Sequence, residues 1–157
     1  MTARLLSEKR AHLLVPKAGY AAARDYWRHT GEIISSRQAE DLLKGGKGDS
    51  RLAEVHRQSI AGVLEVEPRD AFLLESGMAA IFTLFRVITE RRPGLKTLQL
   101  CFPYVDALKI QEQFGAGVDF VNDATGDGLE EALCAIRAGT YAAVFCEVPS
   151  NPLLHTV

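Results

Sequence analysis

Apolar residues fall at helical spacing from Ser50 onward: Leu52, Val55, Ser59 and Val63 share a face, predicting a helix over Ser50 to Leu64 with Pro68 beyond its end. Ala71 to Leu74 is a short apolar run of strand length. Ser76-Gly77-Met78 then opens a helix that is apolar almost all round (Ile81, Phe82, Leu84, Phe85, Val87, Ile88), stopped at Arg91-Arg92-Pro93-Gly94. Thr97 to Phe102 reads as the next strand and Asp106 to Phe114 as a helix striped by Ala107, Ile110 and Phe114. Val118 to Val121 is a third strand, and Asp127 with Glu130 caps a helix from Gly128 to Arg137. Tyr141 to Glu147 closes the series, apolar on both faces as a central parallel strand is.

The order β-α-β-α-β-α-β with short connections predicts an α/β domain, a mostly parallel sheet covered by helices. The first 50 residues differ. Residues 1 to 43 scatter Arg and Lys among apolar positions and read as irregular helix and loop, with a capping box at Ser35 to Gln38 for a short helix through Leu43. Lys44 to Ser50 (KGGKGDS) is a breaker cluster and reads as a loop. The chain therefore divides into a helical and loop arm (1–50) and an α/β region (51–157).

Composition narrows the function. The 157 residues are 47% hydrophobic and carry a formal net charge of −2, which leaves no bulk positive field for nucleic acid or an anionic membrane. The apolar run Ala142 to Cys146 is far short of a bilayer span, and the N-terminus shows no apolar h-region. Three cysteines (Cys101, Cys134, Cys146) without CxxC spacing point away from a disulfide framework or zinc, and a reducing cytoplasm fits. Cys101 and Cys146 read as inert residues of apolar strands. The four histidines, His12, His29, His56 and His155, show no ligand spacing and no carboxylate partner in register.

Ligands of open α/β sheets sit beyond the carboxyl ends of the strands, where three segments fall here. In Glu75-Ser76-Gly77-Met78 a helix N-terminus offers unpaired N–H groups suited to a phosphate, and Gly77 allows close approach; the same residues also read as an ordinary N-cap and turn. Cys101 to Asp106 carries Phe102 and Tyr104, either as rings that stack on a planar cofactor or as core, with Asp106 as a helix cap. In Glu147-Val148-Pro149-Ser150-Asn151-Pro152 two prolines remove donors and hold Ser150 and Asn151 at the mouth of the sheet, a pattern that suits function and structure equally.

Together these segments resemble the cystathionine γ-synthase family of pyridoxal-phosphate enzymes of transsulfuration. Ser-Gly-Met-Ala-Ala-Ile after a strand is similar to its phosphate cup. Glu147 to Leu154 is similar to its E-x-P-S-N-P-L-L signature, and Phe102-Pro-Tyr-Val-Asp-Ala-Leu-Lys-Ile110 looks most like the fungal branch. The resemblance covers Arg57 to Val157 well and residues 1 to 50 poorly. It implies a pyridoxal-phosphate-transferase-like three-layer αβα domain, incomplete at about four strands, with 51–157 as the first part of the cofactor-binding domain. It also implies pyridoxal 5'-phosphate as cofactor, its phosphate held by the amides of Gly77 and Met78 beside Ser76. Tyr104, or Phe102 in its stead, would stack on the ring, and Asn151 would bond the phenolic oxygen or the substrate. Ser150 would shape the loop. An amino-acid substrate and a homo-oligomer of the complete protein are implied as partners, with neither nucleic acid nor membrane.

Two departures accompany the resemblance. Where the bacterial branch has Tyr-x-Arg-x-Gly, counting back from Gly48 gives Lys44 and Gly46, so that Arg51 or Arg57 is the candidate replacement at the phosphate. The family's cofactor aspartate and Schiff-base lysine follow the Pro-Ser-Asn-Pro strand, whereas the lysines here (9, 17, 44, 47, 96, 109) all precede it. The expectation is therefore an N-terminal part of a larger enzyme, inactive alone, whose parent reaction joins an O-acylhomoserine to cysteine to give cystathionine. The competing expectations are a related γ-lyase, β-lyase, sulfhydrylase or aminotransferase, and a non-catalytic α/β module or split subunit that binds the cofactor.

Overall fold

The chain is built around one strand whose four residues are all buried, Thr97–Leu100. The computed structural model describes residues 4–5, 13–46, 50–152, 154 and 156. Two-residue strands β1 (Arg4–Leu5) and β2 (Leu13–Leu14) pair antiparallel. Helices α1 (Tyr20–His29), α2 (Ser36–Leu43), α3 (Ser50–Leu64) and α4 (Gly77–Arg91) follow. Then come β3 (Thr97–Leu100), α5 (Val105–Phe114), β4 (Val118–Val121), α6 (Gly126–Arg137) and β5 (Val144–Cys146). Strands β3 to β5 form a parallel sheet in the order β4-β3-β5.

Alternation along β3 sorts the two faces of this sheet. Leu98 and Leu100 pack with Ala124 and Ala132, joined by Leu129 and Ile136 of α6. Thr97 and Gln99 face α5, where buried Gln111 joins them: Thr97 Oγ1 donates to Gln111 Oε1 at 2.8 Å, and Gln111 Nε2 donates to Gln99 Oε1 at 2.8 Å. Gln99 Nε2 in turn donates to the Leu100 carbonyl. Next to this polar ladder Phe82, Phe85 and Ile110 form a second core, against which Phe145 of β5 packs. Helices α4 and α5 thus cover one face and α6 the other, giving the three layers expected of a fold of this class.

The strand expected at Ala71–Leu74 is not a strand. That stretch is irregular, with Phe72 80% exposed. An apolar run becomes a strand only if a neighbour accepts its ladder bonds, and among the described residues none lies alongside it. The sheet accordingly has three parallel strands rather than four. Tyr141 to Glu147, expected as a central strand, contributes only Val144–Cys146, and β5 is an edge. The face Leu52–Val55–Val63 of α3 is exposed, as are Leu84 and Val87 of the all-round apolar α4. With residues 71–74 these helices line an open groove of about 890 Å³.

Helix ends follow local chemistry where it is present. The Ser35–Gln38 capping box forms in both directions, with Ser35 N–H donating to Gln38 Oε1 and Gln38 N–H to Ser35 Oγ. Ser76 caps α4 by accepting from Ala79 N–H at 3.1 Å. The box expected at Asp127 and Glu130 does not form: α6 starts at Gly126 with Thr125 as N-cap, whose hydroxyl donates instead to Asp123. Of the expected loop 44–50, Lys47 to Asp49 lie outside the described residues, as do His12, His155 and Leu153.

Helix α1 and the turn after it had no periodic signal, yet they pack on the domain. Tyr26 meets Phe82 and Phe114 edge-on, with ring centroids 5.6 and 6.2 Å away. Edge-to-face pairs of this kind stabilise beyond the area they bury.

Candidate functional site

The three segments singled out at strand ends converge. β3 ends at Cys101, whose φ of +57° turns the chain out of the ladder into Phe102-Pro103-Tyr104. Tyr104 N–H, at the N-cap of α5, donates to Glu147 Oε2 at 2.7 Å, which ties this segment to the end of β5. Asn151 N–H donates to the Phe102 carbonyl at 3.0 Å and brings the Pro-Ser-Asn-Pro loop onto the same segment. Two strand ends and their loops are therefore stitched together by backbone donors. A carboxylate accepting from an amide forms one of the stronger bonds of this kind.

The α4 terminus joins through the arm. The Ser76 hydroxyl donates to the Gly31 carbonyl at 3.2 Å while it accepts from Ala79 N–H. Gly31 is pressed so closely on this turn, at φ +68°, that a Cβ there would meet Met78 Cβ and Ser76 Oγ at 2.6 Å and Ala79 N at 2.7 Å. Two residues earlier, buried His29 places Nδ1 at 2.7 Å from Asp106 Oδ1 in the first turn of α5. A carboxylate only accepts, so Nδ1 carries the proton. The stretch His29-Thr30-Gly31 thus straps the N-terminus of α4 to that of α5.

Each anticipated residue can now be located. Ser76 is the N-cap of α4 and Gly77 its first residue, where a Cβ would meet open space; Met78 is half-buried beneath the strap. Tyr104 is 45% exposed, and the Asp106 carboxylate beside its phenol, by hydrogen bonding first and charge second, pushes its pKa above 10.0. Phe102 packs edge-on against Phe120 rather than standing free, with centroids 6.0 Å apart. Asn151 is exposed and Ser150 buried. Arg57 pairs with Glu54 one turn earlier on α3, and Lys44 with Glu40 on α2.

Beyond any local register His29 meets Asp106, 77 positions away in the sequence, and two expectations need correction. Asp106 is not a cap: it sits inside the first turn of α5 and turns its side chain to His29. Cys146 is exposed at the sheet edge rather than a core residue. Desolvation, with Cys101 close by, nevertheless pushes its thiol above the ordinary 9.0, the wrong direction for a nucleophile. No signal in the sequence pointed to His29, because its partner is brought to it only by the docking of α1.

A cystathionine gamma-synthase of Neurospora crassa is 36% identical over 115 residues, which covers 68% of this chain and 18% of that protein. A cystathionine gamma-synthase-like enzyme of Amanita muscaria is 31% identical over 140 residues, 78% of this chain and 22% of the other. An alanine racemase of Aspergillus violaceofuscus is 29% identical over 92% of this chain and 32% of its own length. The chain thus spans between about a fifth and a third of these curated relatives. No protein-family model matches it, and no solved structure does. Among the described residues no helix is long and apolar enough to cross a membrane.

Proposed function

The chain is a sequence relative of the cystathionine γ-synthase family, and from that premise we propose that it forms part of the cofactor-binding domain of a pyridoxal-phosphate enzyme acting on amino acids. The reaction we favour is γ-replacement, in which cysteine displaces the acyl group of an O-acylhomoserine to give cystathionine. The observation that carries the proposal is the convergence of three motif segments, two at the carboxyl ends of β3 and β5 and the third at the start of α4, held together by Glu147, Asn151 and the strap.

The residues present fit the cofactor. The start of α4 combines the positive end of a helix with free space at Gly77, a place where a phosphate is stabilised by dipole and amides together. An exposed phenol ring at the start of α5 offers a stacking face. Gly77 and Met78 would hold the phosphate, Tyr104 the ring, and Asn151 the phenolic oxygen or the substrate. Ser76, engaged with Gly31 and Ala79, would shape the cup. The cofactor, when bound, supplies the electron sink that lets protons leave carbon. The domain division at residue 50 remains part of this proposal, with one amendment: α1 and the strap behave as part of the site rather than as a separate arm.

The full-length protein tests the reading. Incubation with O-succinylhomoserine and cysteine is expected to yield cystathionine, and borohydride to bleach the absorbance of bound pyridoxal phosphate while fixing the cofactor to the protein. Transamination without cystathionine would refute the γ-replacement assignment. Reversible cofactor binding with no borohydride-stable adduct would support the non-catalytic module instead.

A further inference from the structure

In the segment that follows β5, Glu147 carries a charge to which the cofactor reading gives no part. We propose that Glu147 is a positioning residue: its carboxylate holds the backbone of Tyr104 and so fixes the Tyr104 ring relative to Asn151. What Tyr104 and Asn151 touch rests on the cofactor reading above; what holds them to one another rests on the hydrogen bonds alone.

Two bonds of opposite sense join the loops after β3 and β5. Tyr104 N–H donates to Glu147 Oε2 at 2.7 Å, and Asn151 N–H donates to the Phe102 carbonyl at 3.0 Å. Glu147 and Asn151 stand four positions apart on one loop, and Phe102 and Tyr104 two apart on the other. A single bond would leave a pivot; two, spaced along both loops, fix the angle between them as well as their separation. Buried Pro103 lies between the contacts and has no N–H, so Tyr104 supplies the first backbone donor after Phe102. The backbone of Tyr104 is thereby engaged on both sides. Its carbonyl accepts from Ala107 N–H at 3.0 Å in the opening turn of α5, while its N–H is taken by the carboxylate. With φ −53° and ψ 129° held in this way, only χ1 and χ2 are left to place the ring. Glu147 is half-buried and its charge lies against the positive start of α5, so the bond is charge-assisted and favoured by the helix dipole. Supporting groups of this kind confer precision on a site because they lock the residues that touch the ligand.

The experiment compares the full-length wild type with Glu147→Leu, which removes the acceptor, and Glu147→Gln, which keeps an acceptor oxygen at the same reach without the charge. Hydrogen exchange is read at the Tyr104 amide in the absence of cofactor. The Leu98 amide, bonded within the sheet to the Ala143 carbonyl, is the reference. Pyridoxal phosphate is then titrated in, and the circular dichroism induced in its absorption band reports how its ring is held. In Glu147→Leu the Tyr104 amide is expected to exchange about ten- to a hundredfold faster while Leu98 is unchanged. Pyridoxal phosphate is expected to bind more weakly there with a smaller induced signal, and Glu147→Gln to recover most of each loss. General loosening would instead speed Leu98 and Tyr104 together, and that result overturns the proposal. An unchanged Tyr104 amide in Glu147→Leu overturns it too, as does faster exchange with binding and induced signal unchanged, or no recovery in Glu147→Gln. Should Glu147→Leu fail to fold, Glu147→Asp, whose carboxylate stops one methylene short of the amide, takes its place with the same expected losses and the same refuting results. A wild type that binds no pyridoxal phosphate overturns the cofactor reading instead, and leaves Tyr104 exchange to judge the Glu147 bond separately.

Discussion

Gly31→Ala probes the strap most directly, because two separable costs meet at one position. The backbone at Gly31 has φ +68°, a region that costs an L-residue about 1–2 kcal/mol. The added methyl would also stand 2.6 Å from Met78 Cβ and Ser76 Oγ and 2.7 Å from Ala79 N, and the last of these is backbone that cannot swing aside. Overpacking of that kind costs about 1–3 kcal/mol. The sum predicts a loss of roughly 2–5 kcal/mol, or detachment of the strap. Gly94 supplies the control: its φ is +79°, but a Cβ there meets nothing within 4 Å, so Gly94→Ala should cost only the backbone share of about 1–2 kcal/mol. Equilibrium urea unfolding, followed by the fluorescence of Trp27 on α1, measures both variants. If they lose the same stability within about 0.5 kcal/mol, the close packing of Gly31 on α4 does not exist in solution.

Gln111→Leu should be more harmful than its conservative volume suggests. It orphans the Thr97 hydroxyl and the Gln99 amide oxygen, each buried, at about 1–3 kcal/mol per group, and thermal unfolding should show the fall. The pair Lys96–Asp119, with Nζ 2.6 Å from Oδ1 and Tyr141 donating to the same carboxylate, makes a pH prediction. The pKa of Asp119 is lowered from 3.8, so the pair stabilises above that value and the contribution fades as pH falls through the lowered one. The pKa of Lys96 is raised from 10.5, so its contribution is complete below 10.5 and fades as pH climbs through the raised one. Asp119→Asn should therefore flatten the stability profile at both ends, while wild-type slopes in that variant would show that other groups govern them.

Local signals were legible wherever the chemistry was local. Helix α3 spans Ser50–Leu64 as its periodicity predicts, Ser35 and Gln38 form their box, and Ser76 opens α4. Strand β4 likewise occupies Val118–Val121 as read. What failed was pairing. Ala71–Leu74 has the composition of a strand, but a ladder needs a second backbone, and composition says nothing about whether one arrives. The same limit hid the contact between His29 and Asp106. The motifs at Ser76, Tyr104 and Asn151 could be read from short windows, whereas His29 looks like any histidine at a helix end until α1 docks and Asp106 meets it.

The separation of those two residues also sets a clock. At about 5–20 residues per second of synthesis, the 77 positions from His29 to Asp106 take the ribosome roughly 4–15 s to add. Helix–coil relaxation takes about a microsecond or less, so α1 has formed and melted many times before α5 exists to receive it. Until Phe82 is added, roughly 3–11 s after Tyr26 at that rate, Tyr26 has neither Phe82 nor Phe114 against it. The nascent arm therefore spends seconds as an amphipathic segment with an unpaired aromatic face, and the order in which the message is read, rather than the final contact map, decides how long that face stays open to other chains.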